Sequence, residues 1–293
     1  MKRLLVTGGN GLLGSKIVNT SNEKYEVAAT YYNNPLKIKN KLFPLNITKK
    51  EDISQLFKKT NPDHVIHTAA MTDVDYCENH LDEARKVNVE GTKNIGELCK
   101  DAGARLIFIS TDFVFDGKKG HYSEEEVPNP INNYGKTKLE AERELQKLNF
   151  DCIIARVSVL YGWNLIEKPN FVTWLIEELK KNRNVNIVED QWNSPTYADN
   201  CAEILQKLLK FGKPGIYHTS GSERISRFEF AKKIADVFGL NQLLIKKTKT
   251  TFFAQKARRP QDSSLSIEKL IRELGEIPLG TKQGLMKMKK QYK

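Results

Sequence analysis

Tyr134 and Lys138 are the residues of this sequence whose types and spacing best suit an acid–base reaction. They are four positions apart at the start of a predicted helix, so both side chains project from one face. Hydride transfer to a ketone makes an alkoxide, and a phenol beside that oxygen can donate the proton. A free tyrosine has a pKa near ~10, which a neighbouring ammonium lowers by favouring the phenolate. The pair therefore predicts carbonyl chemistry, with Lys138 also able to hold a ribose hydroxyl.

Thr111 is the third candidate, because a predicted strand ends in Ser110-Thr111, twenty-three residues before Tyr134. Its hydroxyl would give the substrate oxygen a second hydrogen bond. The Tyr-x-x-x-Lys spacing alone says little, since about one such pair is expected by chance in a chain with 10 tyrosines and many lysines. A solvent-facing helix pair is the alternative. The position of the pair after a glycine-rich turn favours the chemical interpretation.

Gly8, Gly11 and Gly14 form that turn, between an apolar strand at Met1–Val6 and a helix beginning near Leu12. Gly8 permits the tight turn, Gly11 lets backbone N–H groups approach a pyrophosphate, and Gly14 lets the helix pack closely on the strand. The positive end of the helix then points at the phosphates. An ordinary strand–turn–helix corner is the alternative, but a strand before and a helix after the glycines favour a dinucleotide site.

The second predicted strand indicates which dinucleotide binds. An acidic residue at the end of this strand would bind the ribose 2′-hydroxyl of NAD and repel a 2′-phosphate. The strand instead ends in Thr30 and Tyr31 with no acid, and Lys37 and Lys39 follow. We therefore favour NADP(H), with NAD(H) tolerated. The alternative is that these lysines are solvated loop charges.

The order of elements predicts an α/β fold, a doubly wound parallel (Rossmann) sheet with a smaller C-terminal lobe. Nearly continuous apolar strands alternate with amphipathic helices, which is typical of a sheet covered on both faces. The predicted strands are Arg3–Val6, Glu26–Tyr31, Leu42–Pro44, His64–Thr68, Arg105–Ser110, Cys152–Val159, Val185–Glu189 and Gly215–Thr219. The predicted helices are Gly11–Thr20, Glu51–Thr60, Leu81–Ala102, Tyr134–Leu148, Asn170–Lys181, Ala198–Phe211, Ser226–Phe238, Ile267–Leu274 and Thr281–Lys289. Ligands of such sheets bind beyond the carboxyl ends of the strands.

Two domains are expected within the 293 residues. Residues 1–162 would form the NADP(H)-binding domain, and residues 163–293 a smaller substrate-binding lobe. The segment 196–220 would return to the sheet edge. A chain of this length can bury a substantial core.

Composition narrows the class of protein. The chain has 39% hydrophobic residues and no apolar run long enough to span a membrane, and its four scattered cysteines indicate reduced thiols in a cytoplasmic protein. The net charge of +11 would attract an anionic small molecule such as a nucleotide sugar, whereas the scattered lysines do not support nucleic-acid binding. The five histidines are poorly spaced for a protein-built metal site, and none is predicted. Asp112 and Asp116 are expected to serve a turn.

The chain resembles the extended short-chain dehydrogenase/reductases, and within them the dTDP-4-dehydrorhamnose reductase family. It is also similar to the regulatory β subunits of methionine adenosyltransferase. The resemblance spans essentially the whole chain. It rests on the segments Thr7–Gly14, Thr68–Ala70, Val74–Glu78, Asn88-Val89, Ser110–Gly117, Asn133–Lys138, Arg156–Gly162, Asp190–Thr196 and Arg259-Pro260.

The resemblance implies a role for each matching position. The catalytic residues would be Thr111, Tyr134 and Lys138. The cofactor-binding residues would be Gly8, Asn10, Gly11, Leu12, Leu13, Tyr31, Asn46, Ile47, Ala69, Ala70, Tyr134 and Lys138. The substrate-binding residues would be Thr72, Val74, Thr111, Val159, Gln191, Ser194 and Arg259, with Pro195 and Thr196 close by.

Two positions depart from the family pattern. Val159 stands where the reductases carry a tryptophan that lines the sugar pocket, whereas the regulatory subunits carry an aliphatic residue there. Asn46 stands where an aspartate is usual. These departures concern the substrate and leave the cofactor prediction unchanged.

Three functions remain open from the sequence. The first is NADPH-dependent reduction of the C4 ketone of dTDP-4-dehydrorhamnose to give dTDP-L-rhamnose. The second is another nucleotide-sugar reductase or epimerase with the same active centre. The third is a non-catalytic, NADP-binding regulatory subunit. A homodimer is possible in each case, because dimers are common in this family.

Overall fold

The structure is a computed structural model that describes residues 1–33, 35, 41–164 and 169–292. The strands, in chain order, are β1 Arg3–Thr7, β2 Glu26–Tyr31, β3 Lys41–Pro44, β4 His64–His67, β5 Arg105–Thr111, β6 Cys152–Val157, β7 Leu160–Tyr161, β8 Val185–Val188, β9 Trp192–Asn193, β10 Thr196–Tyr197, β11 Gly215–His218, β12 Ile225–Ser226 and β13 Ile245–Thr248. The α-helices are α1 Leu12–Ser21, α2 Lys50–Thr60, α3 Val74–Asn79, α4 Leu81–Arg85, α5 Gly91–Ala102, α6 Asn133–Leu148, α7 Phe171–Lys180, α8 Ala198–Phe211, α9 Arg227–Phe238, α10 Glu268–Leu274 and α11 Thr281–Lys290.

A parallel sheet organises the molecule, and within the described ranges it has seven strands in the order β11-β6-β5-β4-β1-β2-β3. All six pairings are parallel. The chain runs outward from β1 to β3 on one side, then crosses to β4 and continues to the other edge. The reversal lies between β1 and β4, which is where a doubly wound sheet leaves a crevice for a ligand. The predicted Rossmann fold is confirmed.

The two faces of the sheet have separate cores, because successive side chains on a strand point to opposite faces. Val6 of β1 and Ile66 of β4 join the cluster that α1 and α8 cover. Leu5 and Val65 join the opposite cluster, covered by α2, α5 and α6. Strands buried on both faces explain the nearly continuous apolar runs of the sequence.

The C-terminal half of the chain divides its residues between the sheet and a smaller lobe. α8 packs on α1, where Lys16 and Asp199 form an ion pair of 3.3 Å, and β11 extends the sheet beside β6. The elements α7, α9, α11, β8 and β13 instead share a third hydrophobic cluster. The segment predicted to return to the sheet therefore does so, while the exact division into domains stays a prediction.

Sequence-predicted elements match the structure to within two residues, with informative differences. The strand predicted to reach Val159 ends at Val157, because Val159 has a positive φ of 41°. The helix predicted at Leu81–Ala102 is interrupted by a π-helical turn at Lys86–Glu90. The short helix α3 was not predicted, and Asp73 caps it by accepting a hydrogen bond of 2.9 Å from the Tyr76 N–H. No helix in the described parts of the chain could cross a membrane.

A buried ion pair fixes α6 to the sheet. The Glu142 carboxylate accepts hydrogen bonds from Arg156 Nε at 3.0 Å and Nη2 at 2.7 Å, and from Ser110 Oγ at 2.5 Å. Both charged side chains are only 1% exposed. Arg156 Nη1 also donates to His218 Nε2 at 3.4 Å, and burial lowers the pKa of His218 to about 3. One carboxylate thus links α6 to β5, β6 and, through Arg156, β11.

We expect Glu142→Gln to lower the free energy of unfolding by about 3–5 kcal/mol, because it leaves the Arg156 guanidinium buried without a counter-charge. Glu140→Gln on the same helix is the matched control. Glu140 pairs with Arg85 at 2.5 Å, but both side chains are well exposed, so the loss should stay below about 1 kcal/mol. Urea unfolding followed by circular dichroism measures both. Equal losses in the two variants would contradict this role of the buried pair.

Candidate functional site

A cavity of about 900 Å³ lies along the carboxyl edge of the sheet, at the reversal between β1 and β4. Most of the sequence-predicted site residues line it. They are Gly8, Asn10, Gly11, Leu12, Leu13, Tyr31, Asn46, Ile47, Ala69, Ala70, Thr72, Val74, Thr111, Tyr134, Lys138 and Val159. Gln191, Ser194 and Arg259 do not line this cavity. The chain thus brings the residues predicted for the cofactor and for catalysis into one space.

The glycine-rich turn forms the end of the cavity where α1 begins. Gly8 has a φ of 68°, and a Cβ there would lie 2.9 Å from the Ala69 nitrogen. A Cβ on Gly14 would lie 2.2 Å from the Gly8 carbonyl oxygen, so only glycine lets α1 pack this closely. No side chain among the described residues caps α1, so the N–H groups of its first turn can face an anion in the cavity. This cradle fits a pyrophosphate.

The side of the cavity assigned to adenosine contains the end of β2 and the loop after β3. Asn10 Nδ2 donates to the Asn33 carbonyl at 2.8 Å, which ties the glycine-rich turn to the end of β2. Asn46 Oδ1 accepts from the Thr48 N–H at 3.0 Å, so this amide is oriented by its own loop. Among the described residues at the end of β2 there is no acidic side chain. Lys37 and Lys39, on which the NADP(H) preference partly rested, lie outside the described residues.

Thr111, Tyr134 and Lys138 line the same cavity. Thr111 is the last residue of β5, while Tyr134 and Lys138 come from the first two turns of α6. Asn132 caps this helix by accepting a 2.8 Å hydrogen bond from the Gly135 N–H. Lys138 is 2% exposed, and its Nζ donates to the Ile109 carbonyl at 2.7 Å. The structure therefore brings the three predicted catalytic residues together.

The pKa of Tyr134 differs from the sequence prediction. We expected the Lys138 ammonium to lower it, but burial raises it above the ordinary value, and hydrogen bonding with the Thr111 side chain opposes this only in part. Lys138 Nζ lies 4.0 Å from the centroid of the Phe108 ring and bonds the Ile109 carbonyl. Burial lowers the pKa of Lys138 itself to about 7. The prediction of an acidified phenol is thus wrong for this arrangement, in which burial favours the neutral phenol.

Asp112 has a larger role than the turn predicted for it. It is 3% exposed, and burial raises its pKa. Its carboxyl accepts hydrogen bonds from Thr111 Oγ1 at 3.1 Å, Ser158 Oγ at 2.8 Å and Ser263 Oγ at 2.5 Å. The bond to Thr111 orients the hydroxyl predicted to contact substrate. Its place directly after Thr111 was the only signal in the sequence, because Ser158 and Ser263 come from distant segments.

The three predicted substrate residues outside the cavity have structural partners. Gln191 is 8% exposed, and its Nε2 donates to Thr250 Oγ1 at 3.1 Å. Ser194 is 1% exposed, and its Oγ accepts from the Leu265 N–H at 3.2 Å. Arg259 donates to both oxygens of the Asp75 carboxylate, at 3.2 and 2.8 Å. These three side chains therefore bind other parts of the chain, and contact with substrate stays a prediction for them.

Val159 lines the cavity in a conformation unusual for its type. A β-branched residue with positive φ is strained by about 1–3 kcal/mol and persists only where its surroundings hold it. The carbonyl of Val159 accepts a 3.1 Å hydrogen bond from the Thr196 N–H, which anchors this turn. The turn carries the chain from β6 to β7 at the edge of the cavity.

Comparison with known proteins finds similar proteins over nearly the whole chain. A family model described as the RmlD substrate binding domain matches residues 1–293. The probable low-salt glycan biosynthesis reductase Agl14 of Haloferax volcanii is 33% identical over 92% of this chain and 91% of its own. Methionine adenosyltransferase 2 subunit beta of Bos taurus is 31% identical over 92% of this chain and 81% of its own.

A solved structure agrees with the whole chain. The crystal structure of a dTDP-4-dehydrorhamnose reductase from Bacillus anthracis, in complex with NADP, superposes with a TM-score of 0.89 and 32% identity. The match covers 99% of this chain and 100% of the other.

The buried Lys138 predicts a pH dependence of stability in the cofactor-free protein. Its pKa is lowered to about 7 from 10.5, so the folded protein binds fewer protons than the unfolded chain between these values. The cost of burying the ammonium is therefore full below pH 7 and is relieved as the pH rises. We expect the stability of the wild type relative to Lys138→Met to increase by up to about 1.4 kcal/mol per pH unit above pH 7.

Urea unfolding of both proteins from pH 6 to 10 measures this difference. Lys136→Met, an exposed neighbour on the same helix, should shift no part of the profile. Parallel profiles for wild type and Lys138→Met would contradict the lowered pKa.

Proposed function

This chain belongs to the RmlD substrate binding domain family, and we propose that it is an NADPH-dependent reductase of the C4 ketone of a nucleotide-linked deoxysugar. The favoured reaction is the reduction of dTDP-4-dehydrorhamnose to dTDP-L-rhamnose. One observation carries the proposal: Thr111, Tyr134 and Lys138 line the same cavity as the glycine-rich turn. A proton donor and a dinucleotide cradle in one space suit hydride transfer to a carbonyl.

NADP(H) is the cofactor that we propose for this cavity. The uncapped start of α1 and the close packing at Gly8 and Gly14 suit its pyrophosphate. The absence of a carboxylate at the described end of β2 leaves room for a 2′-phosphate. The Bacillus anthracis reductase, which this chain resembles over its full length, was solved in complex with NADP. The bound dinucleotide would supply the hydride.

The residues of the chain then have distinct tasks. The Thr111 O–H, which donates to Asp112 in this structure, would turn to the carbonyl oxygen of the sugar when the substrate binds. Tyr134 would donate its phenolic proton to the same oxygen as negative charge develops there. Because burial raises its pKa, Tyr134 is protonated before the reaction and is a weak acid until an alkoxide forms beside it. Lys138, held by Ile109, would meet a ribose hydroxyl and favour the phenolate that remains.

A regulatory subunit that binds NADP without catalysis is the second candidate. It is favoured by the similarity to methionine adenosyltransferase 2 subunit beta and by Val159, which is aliphatic at a wall of the cavity. In that case the dinucleotide would bind in the same cradle, while the catalytic residues would have no ketone to act on. Another nucleotide-sugar reductase or epimerase would use the same three residues with a different sugar.

We expect the purified protein to oxidise NADPH in the presence of dTDP-4-dehydrorhamnose, followed by absorbance of the reduced cofactor. Tyr134→Phe should lower kcat by about 100- to 10,000-fold, since it removes the proton donor, and should leave the Kd for NADPH unchanged. Tyr292→Phe, which alters an exposed tyrosine outside the cavity, is the matched control and should keep full activity.

Two results would overturn the proposal. Tight NADPH binding without oxidation by this or any related 4-keto sugar nucleotide would favour the regulatory candidate. Undiminished turnover in Tyr134→Phe would remove Tyr134 from the proton transfer.

A further inference from the structure

Arg227 is a charged residue of the cavity to which the roles described so far give no task. It is the first residue of α9 and lines the cavity together with Thr111, Asp112 and Asn170. Its backbone N–H donates to the Gln191 carbonyl at 2.9 Å. Ser226 caps the helix by accepting a 3.1 Å hydrogen bond from the Glu229 N–H. The backbone that carries the guanidinium is therefore fixed on both sides.

The Arg227 side chain is held by an aromatic ring and not by a carboxylate. Its Cζ lies 5.1 Å from the centroid of the Phe171 ring, and the side chain is half-buried. Among the described residues no carboxylate lies within ion-pair distance of Arg227. By contrast, Arg259 donates to the Asp75 carboxylate from both Nη1 and Nη2. Arg224 forms an ion pair with Asp262. Arg227 is thus a preorganised guanidinium whose hydrogen-bond donors are left for a ligand.

The surroundings keep Arg227 charged. Burial lowers the pKa of Arg227 to about 10. The charge of Arg259 lowers this pKa further, whereas the charge of Asp112 raises it. The group therefore carries its positive charge at neutral pH. A partly desolvated cation that no carboxylate contacts directly is costly, and an anion that binds to it in the cavity would offset that cost.

The chemistry of the ligand follows from what the cavity must hold. The phosphates of the dinucleotide have their own cradle at the start of α1. The nucleotide sugar of the proposed reaction brings a second diphosphate, whose paired oxygens match the two-pronged guanidinium. Arg227 lies on α9, which is not part of the large sheet, and the charged side chains that act on it are Asp112 and Arg259.

We infer that Arg227 binds the diphosphate of the nucleotide-sugar substrate, and so selects diphosphate-linked sugars over free sugars or simple ketones. The inference rests on the proposed function for the identity of the substrate. Arg227 would act as a positioning residue: it anchors the diphosphate so that the ketone meets Thr111 and Tyr134.

Binding measurements test this without turnover. Calorimetric titration of dTDP and of thymidine into the NADP⁺-loaded protein separates the diphosphate from the nucleoside. We expect Arg227→Gln to weaken dTDP binding by about 10- to 100-fold and to leave the weaker thymidine binding unchanged, as expected for losing a charged hydrogen-bonded pair. The dTDP affinity of Arg227→Lys should lie between those of the wild type and Arg227→Gln, because lysine keeps the charge but cannot form the two-pronged contact of a guanidinium. Arg183→Gln, which alters an exposed arginine outside the cavity, is the matched control.

Each outcome decides for or against the inference. Unchanged dTDP affinity in Arg227→Gln, equal losses for dTDP and thymidine, or no dTDP binding by the wild type would overturn it. NADP⁺ binding by each variant shows that the variant is folded. If Arg227→Gln does not fold, the dTDP affinity of Arg227→Lys tests the inference instead.

The inference and the proposed function can fail separately. Arg227-dependent dTDP binding without any ketone reduction would leave the inference standing and remove the proposed reaction. Turnover by Arg227→Gln with an unchanged KM for the sugar nucleotide would support the proposed reaction and overturn the inference about Arg227.

Discussion

The buried ion pair between Glu142 and Arg156 is the interaction on which the geometry of the site depends. Glu142 and Lys138 are neighbours on one face of α6, and the same carboxylate accepts the Ser110 hydroxyl one residue before Thr111. The pair therefore sets the distance between the strand that ends in Thr111 and the helix that carries Tyr134. A buried pair is costly to form and more costly to break, so α6 has little freedom to shift against β5.

Burial also determines the proton states at the site. The low-dielectric environment disfavours charge on any side chain within it, which raises the pKa of Tyr134 and Asp112 and lowers that of Lys138. These three shifts share one cause. Burial favours the neutral phenol of Tyr134, and it brings the pKa of Lys138 to about 7. Arg227 keeps its positive charge in the same cavity, which suits it to the role inferred for it in binding an anionic substrate.

The sequence could predict the sheet, the glycine-rich turn and the three catalytic candidates because each depends on local patterns. Apolar strands, helix periodicity and a four-residue spacing are all visible along the chain. The roles of Asp112 and Arg227 could not be predicted, because their surroundings come from segments far apart, such as Ser263 for Asp112 and Phe171 for Arg227. Tertiary burial likewise reversed the predicted shift of Tyr134, and no local pattern reveals the positive φ of Val159.

The central claim is that this cavity brings a nicotinamide, a sugar ketone and Tyr134 into reacting geometry. Deuteride transfer tests it most directly. The protein would be incubated with dTDP-4-dehydrorhamnose and with NADPH that carries deuterium at both C4 positions of the nicotinamide, and the product examined by NMR. The account predicts deuterium at C4 of the sugar in a single configuration. Deuterium that stays on NADPH while both ligands are bound would contradict it.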